Sequence, residues 1–308
     1  DFTPYKGVGT YIMNFGGAPA NVAISSSRMG VKSAFIGKIG NDQFGLYLSR
    51  TLSKENVDIS GLITTDEACT TLAFVHLNDE GERTFSFVRK PGADMLILPE
   101  EVPVALIGGS KIFHFGSAQL SMKNGRAAIT KAIQIAHQAD VLVSFDPNYR
   151  ASQWNSEKDA KQWINEFVNL VDIVKVSQEE ALWISDKKDL WDASLEIQKR
   201  GLDLVIVSCG SSGAHYRIKN CAGFVKGYSR VAVDTTGAGD AFWGTILACI
   251  SEYDSKKIES IGAPEIEQFL KYGNAAGAIC VGYKGAIAHK SSRKLFQQVI
   301  DFRFSDGK

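Results

Sequence analysis

Residues 233–242, Val-Asp-Thr-Thr-Gly-Ala-Gly-Asp-Ala-Phe, place two glycines and two aspartates in one short stretch. The apolar residues 231–233 predict the end of a strand, and the run 242–250 predicts a buried helix. Glycines let the backbone approach a ligand closely, and the unpaired amides of a helix N-terminus attract anions, phosphate above all. Asp240 would repel such a ligand, which indicates a base that takes a proton from a hydroxyl attacking the phosphate. The alternative is a carboxylate that only caps the helix.

The stretch from Asp234 to Phe242 resembles the C-terminal signature of the ribokinase family of sugar kinases, also called the PfkB family. The resemblance covers nearly the whole chain. It implies a ribokinase-like α/β fold, a three-layer αβα sandwich with a mainly parallel central sheet and a small β lid. Alternating strands and helices along the sequence favour the same sheet. We expect one domain over residues 1–308, with lid strands at about 4–15 and 70–95.

The composition argues against several other classes of protein. Lysine plus arginine equals aspartate plus glutamate, at 34 each, so no basic excess indicates a nucleic-acid or membrane surface. No apolar run reaches the length of a membrane span, and no signal peptide is recognisable. The five cysteines form no Cys-x-x-Cys pair, which favours a reducing compartment. We therefore expect a cytoplasmic protein that acts on a small molecule.

A Gly-Gly turn before a helix indicates a sugar-binding site. Residues 16–21 read Gly-Gly-Ala-Pro-Ala-Asn, with a proline where it suits a first helical turn. An asparagine side chain offers both a donor and an acceptor to a sugar hydroxyl. The resemblance assigns Gly16, Gly17 and Asn21 to the sugar, whereas the alternative is a plain turn with an exposed asparagine. Family members open with an apolar strand that ends in Asp, and Asp1 matches that sugar-binding carboxylate; the alternative is a solvated terminal residue.

Residues 70–77 and 83–89 alternate between apolar and polar, as two strands joined by the turn 78–81 do. A hairpin between β-α units is the expected place for a lid. The stretch 88–94, Val-Arg-Lys-Pro-Gly-Ala-Asp, resembles fructokinases of the family, in which the arginine lies near the sugar. Arg89 is therefore predicted to bind substrate, unless the segment is only a surface hairpin. An exposed lid also predicts pairing into a homodimer.

Polar residues follow the strand predicted at 141–145, in the sequence Asp-Pro-Asn-Tyr-Arg at 146–150. Open α/β sheets hold ligands past the carboxyl ends of their strands. Arg150 suits a clamp on the transferring phosphoryl group. It also matches the family's Asp-Pro-Asn-x-Arg, although a salt bridge within the loop is the alternative.

A capping box at residues 177–180 follows the next predicted strand. The family often has Asn-x-x-Glu here, and its glutamate influences magnesium and phosphate through water. Ser177 stands where the family has Asn, so the resemblance carries over to Glu180 alone. It also implies that Lys175 reaches the nucleotide phosphates.

The glycine-rich turn after residues 204–208 resembles the loop of the family beside the nucleotide. The region after residue 266 surrounds the adenine in the family and, with the loop at 234, holds a monovalent cation. The resemblance thereby implies ATP, magnesium and potassium as cofactors, with Asp234 and the Thr236 carbonyl as ligands of the potassium. The nucleotide-binding residues that it implies are Lys175, Ser208, Gly210, Gly213, Gly237, Gly239 and Asn274.

A Walker A loop is excluded. That motif needs four residues between Gly and Gly-Lys, and then Ser or Thr. Six residues separate Gly30 from Gly37, and Ile39 follows Lys38. Lys38 itself is predicted either to reach a substrate or to be solvated.

These observations predict an ATP-dependent sugar kinase in which Asp240 is the base. The amides of Gly237, Ala238 and Gly239 would stabilise charge on the phosphoryl group. Fructose is the expected sugar, giving fructose 6-phosphate, with ribose, 2-keto-3-deoxygluconate and aminoimidazole riboside as alternatives. A non-catalytic sugar-binding regulator remains possible on this fold, but it would not need Asp240. A dinucleotide-dependent oxidoreductase would need Gly-x-Gly-x-x-Gly after an early strand, which is missing.

Overall fold

The computed structural model describes residues 12–77, 83–89, 91–253, 258–289 and 292–305. The strands, in chain order, are β1 (Ser33–Gly40), β2 (Val57–Thr65), β3 (Leu72–Leu77), β4 (Arg83–Val88), β5 (Ile112–Gly116), β6 (Leu142–Asp146), β7 (Ile173–Ser177), β8 (Leu204–Ser208), β9 (Gly213–Ile218) and β10 (Cys221–Lys226). The α-helices are α1 (Ala18–Arg28), α2 (Gln43–Lys54), α3 (Val104–Gly108), α4 (Lys123–Gln138), α5 (Glu157–Val168), α6 (Gln178–Ser185), α7 (Leu190–Gln198), α8 (Ala238–Ser251), α9 (Ala263–Cys280) and α10 (Arg293–Ser305).

A six-stranded sheet in the order β10-β9-β8-β7-β6-β5 forms the central layer. Strands β5 to β8 run parallel, and β9 and β10 are added antiparallel at one edge. The parallel strands are short and mostly apolar because helices cover both of their faces. This is the mainly parallel α/β sheet that the sequence predicts.

The two faces of the sheet carry separate hydrophobic layers. Along β8, Leu204 and Ile206 pack with α1, α8 and α9 on one side, whereas Val205 and Val207 pack with helices α4 to α7 on the other. Successive side chains of a strand point to opposite faces, so an apolar run of this kind serves both layers. The carboxyl ends of β6, β7 and β8 consequently meet at one edge, between the helices of the two layers.

Two smaller pairs of strands accompany the sheet. β1 and β2 are parallel, and β3 and β4 form an antiparallel hairpin in which Leu72 faces Val88 and Leu77 faces Arg83. The hairpin lies within the segment 70–95, for which the lid role stays a prediction. Residues 12–15, in the other segment predicted for the lid, are irregular rather than a strand. The rest of the 4–15 segment and Asp1 lie outside the described residues.

The strand end predicted at residues 231–233 is also wrong. The segment is irregular, and Val231 and Val233 are 87% and 55% exposed. The backbone N–H of Val233 donates to the carbonyl of Val281, just beyond α9, at 2.7 Å. A helix end, rather than a neighbouring strand, therefore holds this segment.

In the part of the chain that the structure describes, no helix is both long enough and apolar enough to cross a lipid bilayer.

Candidate active site

Helix α8 begins at a turn that requires glycine. Gly237 has φ +79°, a left-handed conformation, and a Cβ atom there would lie 2.5 Å from Cβ of Ala286. The N–H groups at the start of a helix lack intrahelical acceptors, and the helix dipole adds positive potential. The structure thus places Gly237, Ala238 and Gly239 together in the first turn, as an anion site demands.

Helices α1 and α8 approach each other closely behind this turn. Gly244 allows the contact, since a Cβ there would meet the carbonyl oxygen of Val22 at 2.5 Å. Ser25 Oγ donates to the carbonyl of Ala241 at 3.0 Å, and Ser26 Oγ donates to that of Gly244 at 2.9 Å. These contacts fix the distance and orientation between the starts of the two helices.

The close packing joins two predicted site residues that are far apart in sequence. Asn21 Nδ2 donates to Asp240 Oδ2 at 2.7 Å, and both side chains are buried, at 6% and 7% exposure. Asn21 Oδ1 has no hydrogen-bond partner although it is buried. Buried polar atoms are nearly always paired, so this oxygen is available to a ligand hydroxyl. The N-cap of α8 is Gly237 and no side chain caps the helix, so Asp240 is not a helix cap.

Burial raises the pKa of Asp240 to about 6, against the opposing effect of the hydrogen bond from Asn21. The charge of Asp146 raises it further, whereas Lys175 and Arg150 lower it. A general base works best when its pKa is near the operating pH and it is still ionised. At neutral pH this carboxylate meets both conditions.

A buried ion pair lies beside Asp240. Lys175 Nζ, on β7, donates to Asp146 Oδ2 at the end of β6 at 2.8 Å, and both side chains are under 10% exposed. Burial alone would lower the pKa of Lys175, but the surrounding carboxylates, Asp146 first among them, outweigh it and raise that pKa. Asp146 was not among the predicted site residues, although it belongs to the same loop as Arg150.

Glu180 fixes the loop that follows β6. Its Oε1 accepts from the backbone N–H of Tyr149 at 2.7 Å, and Oε2 accepts from that of Ser177 at 2.8 Å, which confirms the capping box. Burial and the nearby Asp146 carboxylate raise the pKa of Glu180. With each oxygen already holding an N–H, the carboxylate suits a magnesium ion that keeps its own water shell. Over the described residues, no three acidic, His or Cys side chains group as direct metal ligands.

Arg150 is exposed, and its Nη1 donates to the carbonyl of Tyr149 at 2.8 Å. Its charge acts on Asp240, so the guanidinium lies on the same side of the site. A solvent-facing cation at the edge of a buried acidic cluster is placed to meet a phosphate. A carboxylate partner, which the loop salt bridge would require, is not seen for it in the described part of the chain.

The Gly-Gly turn lies at the start of α1, as predicted. Gly17 has φ +115°, and its carbonyl accepts the N–H of Asn21 at 2.9 Å. Gly16 is exposed, and a Cβ there would meet open space. The turn therefore leaves backbone open to solvent one helical turn from the Asn21–Asp240 pair.

Arg89 lies at the base of the hairpin rather than on its outer surface. The side chain is 9% exposed and donates from Nε and Nη2 to Asp94 Oδ2, at 2.9 and 2.6 Å. The Thr71 hydroxyl donates to the other oxygen of Asp94. The pair thus links the end of β4 to the segment after it, so Arg89 is not part of a plain surface hairpin.

Four of the residues predicted beside the nucleotide lie at the ends of β8 and β10, namely Ser208, Gly210, Gly213 and Asn274. Gly213 has φ +125°, and a Cβ there would lie 2.0 Å from the carbonyl oxygen of Val225. Asn274 Nδ2 donates to the carbonyls of Val225 and Lys226, both at 3.2 Å. Ser208 Oγ donates to the carbonyl of Val176 at 3.3 Å, and Gly210 has φ +55°. These bonds give Asn274 a structural role in holding β10.

The Asp234 side chain closes the loop that precedes α8. Its Oδ1 accepts from the N–H of Thr236 at 2.8 Å, and Oδ2 accepts from that of Gly285 at 2.9 Å. The thiol of Cys280 donates to the Thr236 carbonyl at 3.5 Å. Burial, helped by the Asp240 and Asp234 carboxylates, raises the pKa of Cys280 to about 12, so the thiol stays neutral.

The structure differs from the sequence predictions at two polar side chains: the prediction for Lys38 is wrong, and Ser117 was not predicted. Lys38 is buried and pairs with Glu101 at 2.7 Å, so it is neither solvated nor at the site. Ser117 follows β5, is 1% exposed, and its Oγ has no partner. Its position past a strand end was the available signal.

The whole chain can be compared with known proteins. Residues 5–293 match the profile of the pfkB family carbohydrate kinases. A "Probable fructokinase-2" of Arabidopsis thaliana is 41% identical over 273 residues, which is 88% of this chain and 82% of that protein. The fructokinase of Vibrio cholerae O395, solved with fructose, ADP and calcium, has a TM-score of 0.87 at 31% identity, covering 96% of this chain and 94% of that one. A putative ribokinase II of E. coli, solved with ATP and magnesium, has a TM-score of 0.86 at 28% identity, covering 98% and 94%.

The family match and the fructokinase relatives define a phosphotransferase with an alcohol group as acceptor. The chain belongs to the pfkB family of carbohydrate kinases.

Proposed function

We propose that this protein is an ATP-dependent fructose kinase that forms fructose 6-phosphate. The observation that carries the proposal is the buried Asn21–Asp240 pair at the glycine-rich start of α8. It supplies a base with an unpaired amide oxygen beside it, in front of an anion site. The similarity to the Arabidopsis and Vibrio fructokinases, the latter solved with fructose, supports fructose as the sugar.

In the proposed reaction, Asp240 accepts the proton of the primary hydroxyl of the sugar as that oxygen attacks the γ-phosphorus of ATP, and the bond from that phosphorus to the β,γ-bridging oxygen breaks to release ADP. The amides of Gly237, Ala238 and Gly239 stabilise charge on the phosphoryl oxygens, and Arg150 neutralises charge from the solvent side. Asn21 orients Asp240 through its Nδ2 and offers Oδ1 to a sugar hydroxyl. Gly16 and Gly17 leave the backbone accessible beside it.

The nucleotide is proposed to lie over the ends of β8 and β10, along Lys175, Ser208, Gly210, Gly213 and Asn274. Magnesium, held through water by Glu180, would neutralise phosphate charge. The E. coli relative that was solved with ATP and magnesium supports this choice of ligands. Potassium is proposed at the Asp234 loop, with the Thr236 carbonyl as a second ligand.

Two further proposals concern the hairpin. We propose that β3 and β4 cover the sugar, with Arg89 on the sugar side, and that two copies of the chain pair through this lid. Val88 at the end of β4 is 59% exposed and so is accessible to a second copy. Family membership supports one kinase domain over the chain, the lid included.

The choice of sugar is tested by steady-state kinetics with ATP and a panel of sugars. Fructose is expected to give the highest kcat/KM among common hexoses and pentoses, because the segment around Arg89 resembles fructokinases. The control is the same panel with Asp240→Asn, which measures the phosphorylation by contaminating kinases so that it can be subtracted. A tenfold higher kcat/KM for ribose or 2-keto-3-deoxygluconate would contradict fructose while leaving the kinase assignment intact.

Arg89→Ala is expected to raise the KM for the sugar by about tenfold or more and that for ATP by less than twofold. The change removes a charged group from the lid base and unpairs Asp94, and loss of one charge-assisted hydrogen bond is worth about 1.5–3 kcal/mol. Arg200→Ala is the matched control, since Arg200 is also partly buried and hydrogen-bonded, to Asn165 of α5 and Ile184 of α6. Equal small changes in both KM values would assign Arg89 to the structure of the hairpin alone.

A further inference from the structure

Three carboxylates and one ammonium lie together in the site. Asp146, Glu180 and Asp240 lie close enough to influence one another or Lys175 electrostatically; Asp146 and Asp240 are buried, and Glu180 is half-buried. Isolated buried charges are costly, so a cluster of like charges needs a cation built into the protein. Among the described residues, Lys175 is the buried cation in contact with this cluster.

The position of Lys175 follows from the sheet. β6 and β7 are parallel neighbours, so the side chain from β7 lies next to Asp146 at the end of β6. From there the ammonium reaches α8: a Cβ built on Gly239 would be 3.3 Å from Lys175 Nζ. The ammonium is therefore bonded to Asp146 and lies next to the residue immediately before Asp240. A side chain at position 239 would press on that ammonium.

We propose that Lys175 is a positioning residue for phosphoryl transfer, whose ammonium, bonded to Asp146, places a positive charge against the first turn of α8 beside Asp240. The proposal rests on the proposed role of Asp240 as the base. It differs from the contact with nucleotide phosphates that the family resemblance implies for Lys175. An ammonium already bonded to a buried carboxylate acts first on the protein's own charges.

Other charged and titratable groups face Asp240 from the elements around it. Arg150, from the loop after β6, is exposed, so solvent weakens its effect. Cys280, from α9, stays neutral because its pKa is about 12. His114, on β5, faces Asp146 and Lys175, and burial lowers its pKa to about 4, so it is also neutral. Asn21, from α1, carries no charge. The balance of buried charge around the base therefore depends on Lys175 against Asp146.

The experiment uses Lys175→Met, Asp146→Asn and the double variant. The pKa of Asp240 is read from the acid limb of kcat/KM, expected near pH 6 in the parent, and by ¹³C NMR of aspartate carboxyls in the free enzyme. The Asp240→Asn spectrum assigns the signal.

Removing a favourable neighbouring charge raises a carboxyl pKa by about one unit or more, and removing a like charge lowers it. We expect the pKa of Asp240 to rise in Lys175→Met and to fall in Asp146→Asn. In the double variant, whose net charge matches the parent, it should lie within about half a unit of the parent value.

The outcomes separate the proposals. A Lys175→Met enzyme with an unchanged pKa of Asp240 and a raised KM for ATP alone would overturn the inference in favour of a phosphate contact. If Lys175→Met fails to fold because Asp146 is left unpaired, the double variant decides the question. A pKa of Asp240 that differs there from the parent value by a unit or more would also contradict the inference. Should Asp240→Asn remain active, the base is elsewhere, but the NMR shifts still test the action of Lys175 on Asp240.

Discussion

Asp240→Asn is expected to lower kcat by about two to four orders of magnitude, the usual contribution of a positioned general base. The substitution keeps the size of the side chain and removes the proton acceptor and its charge. Sugar should still bind, because the Gly16–Gly17 turn and Asn21 are unchanged. ATP is expected to bind slightly more tightly once a carboxylate no longer faces its phosphates. The loss should therefore appear in kcat, as for an interaction made only in the transition state.

Stability provides the control for that result. Since folding raises the pKa of Asp240 from 3.8 to about 6, the ionised side chain opposes folding at neutral pH; this cost declines as the pH falls below the folded pKa and is gone below the unfolded one. Gly237, not Asp240, is the N-cap of α8, and an amide oxygen can still accept the hydrogen bond from Asn21 without burying a charge, so the variant should melt no lower than the parent at pH 7. Asp189→Asn alters a helix cap at the start of α7 and should leave kcat unchanged. An Asp240→Asn enzyme within fivefold of the parent would exclude Asp240 as the base.

Local signals explain why so much of the fold was predictable. The hairpin of β3 and β4, the capping box at Ser177 and the helix after Gly237 each depend on residues close together in sequence. Their turn residues and periodicity are therefore visible in the chain. The residues 231–233 look like a strand by the same criteria, but nothing in their composition shows that they have no strand to pair with.

The electrostatic part of the site was less accessible to sequence reasoning. Asn21 and Asp240 were each predicted, yet their 2.7 Å hydrogen bond depends on how Gly244 lets α1 approach α8. The pairing of Lys175 with Asp146 depends on the order of strands in the sheet, which a single sequence does not specify. Motif matching identified Lys175 by position and assigned it to the nucleotide, whereas its surroundings identify the carboxylate it neutralises.

Gly237→Ala is expected to lower kcat by about 10²–10³, the effect of losing one donor from an anion hole in other enzymes. Alanine is strained at φ +79°, and its Cβ would lie 2.5 Å and 2.7 Å from the Cβ and Cα of Ala286. Backbone cannot yield as a flexible side chain does, so the first turn of α8 must move. That movement displaces the amides of Ala238 and Gly239 from the phosphoryl group, while the sugar side is largely retained. The KM for fructose should therefore change much less than kcat.

The matched control separates this displacement from strain alone. Gly30 has φ +91°, and a Cβ there would meet no atom within 4 Å, so Gly30→Ala carries the conformational cost without the clash. Both variants should lose about 1–2 kcal/mol of stability from the left-handed alanine, and Gly237→Ala should lose more. Only Gly237→Ala should lose activity at temperatures where both are folded. If kcat falls equally in the two variants, or in neither, the start of α8 does not hold the phosphoryl group, and the amides have no part in the reaction.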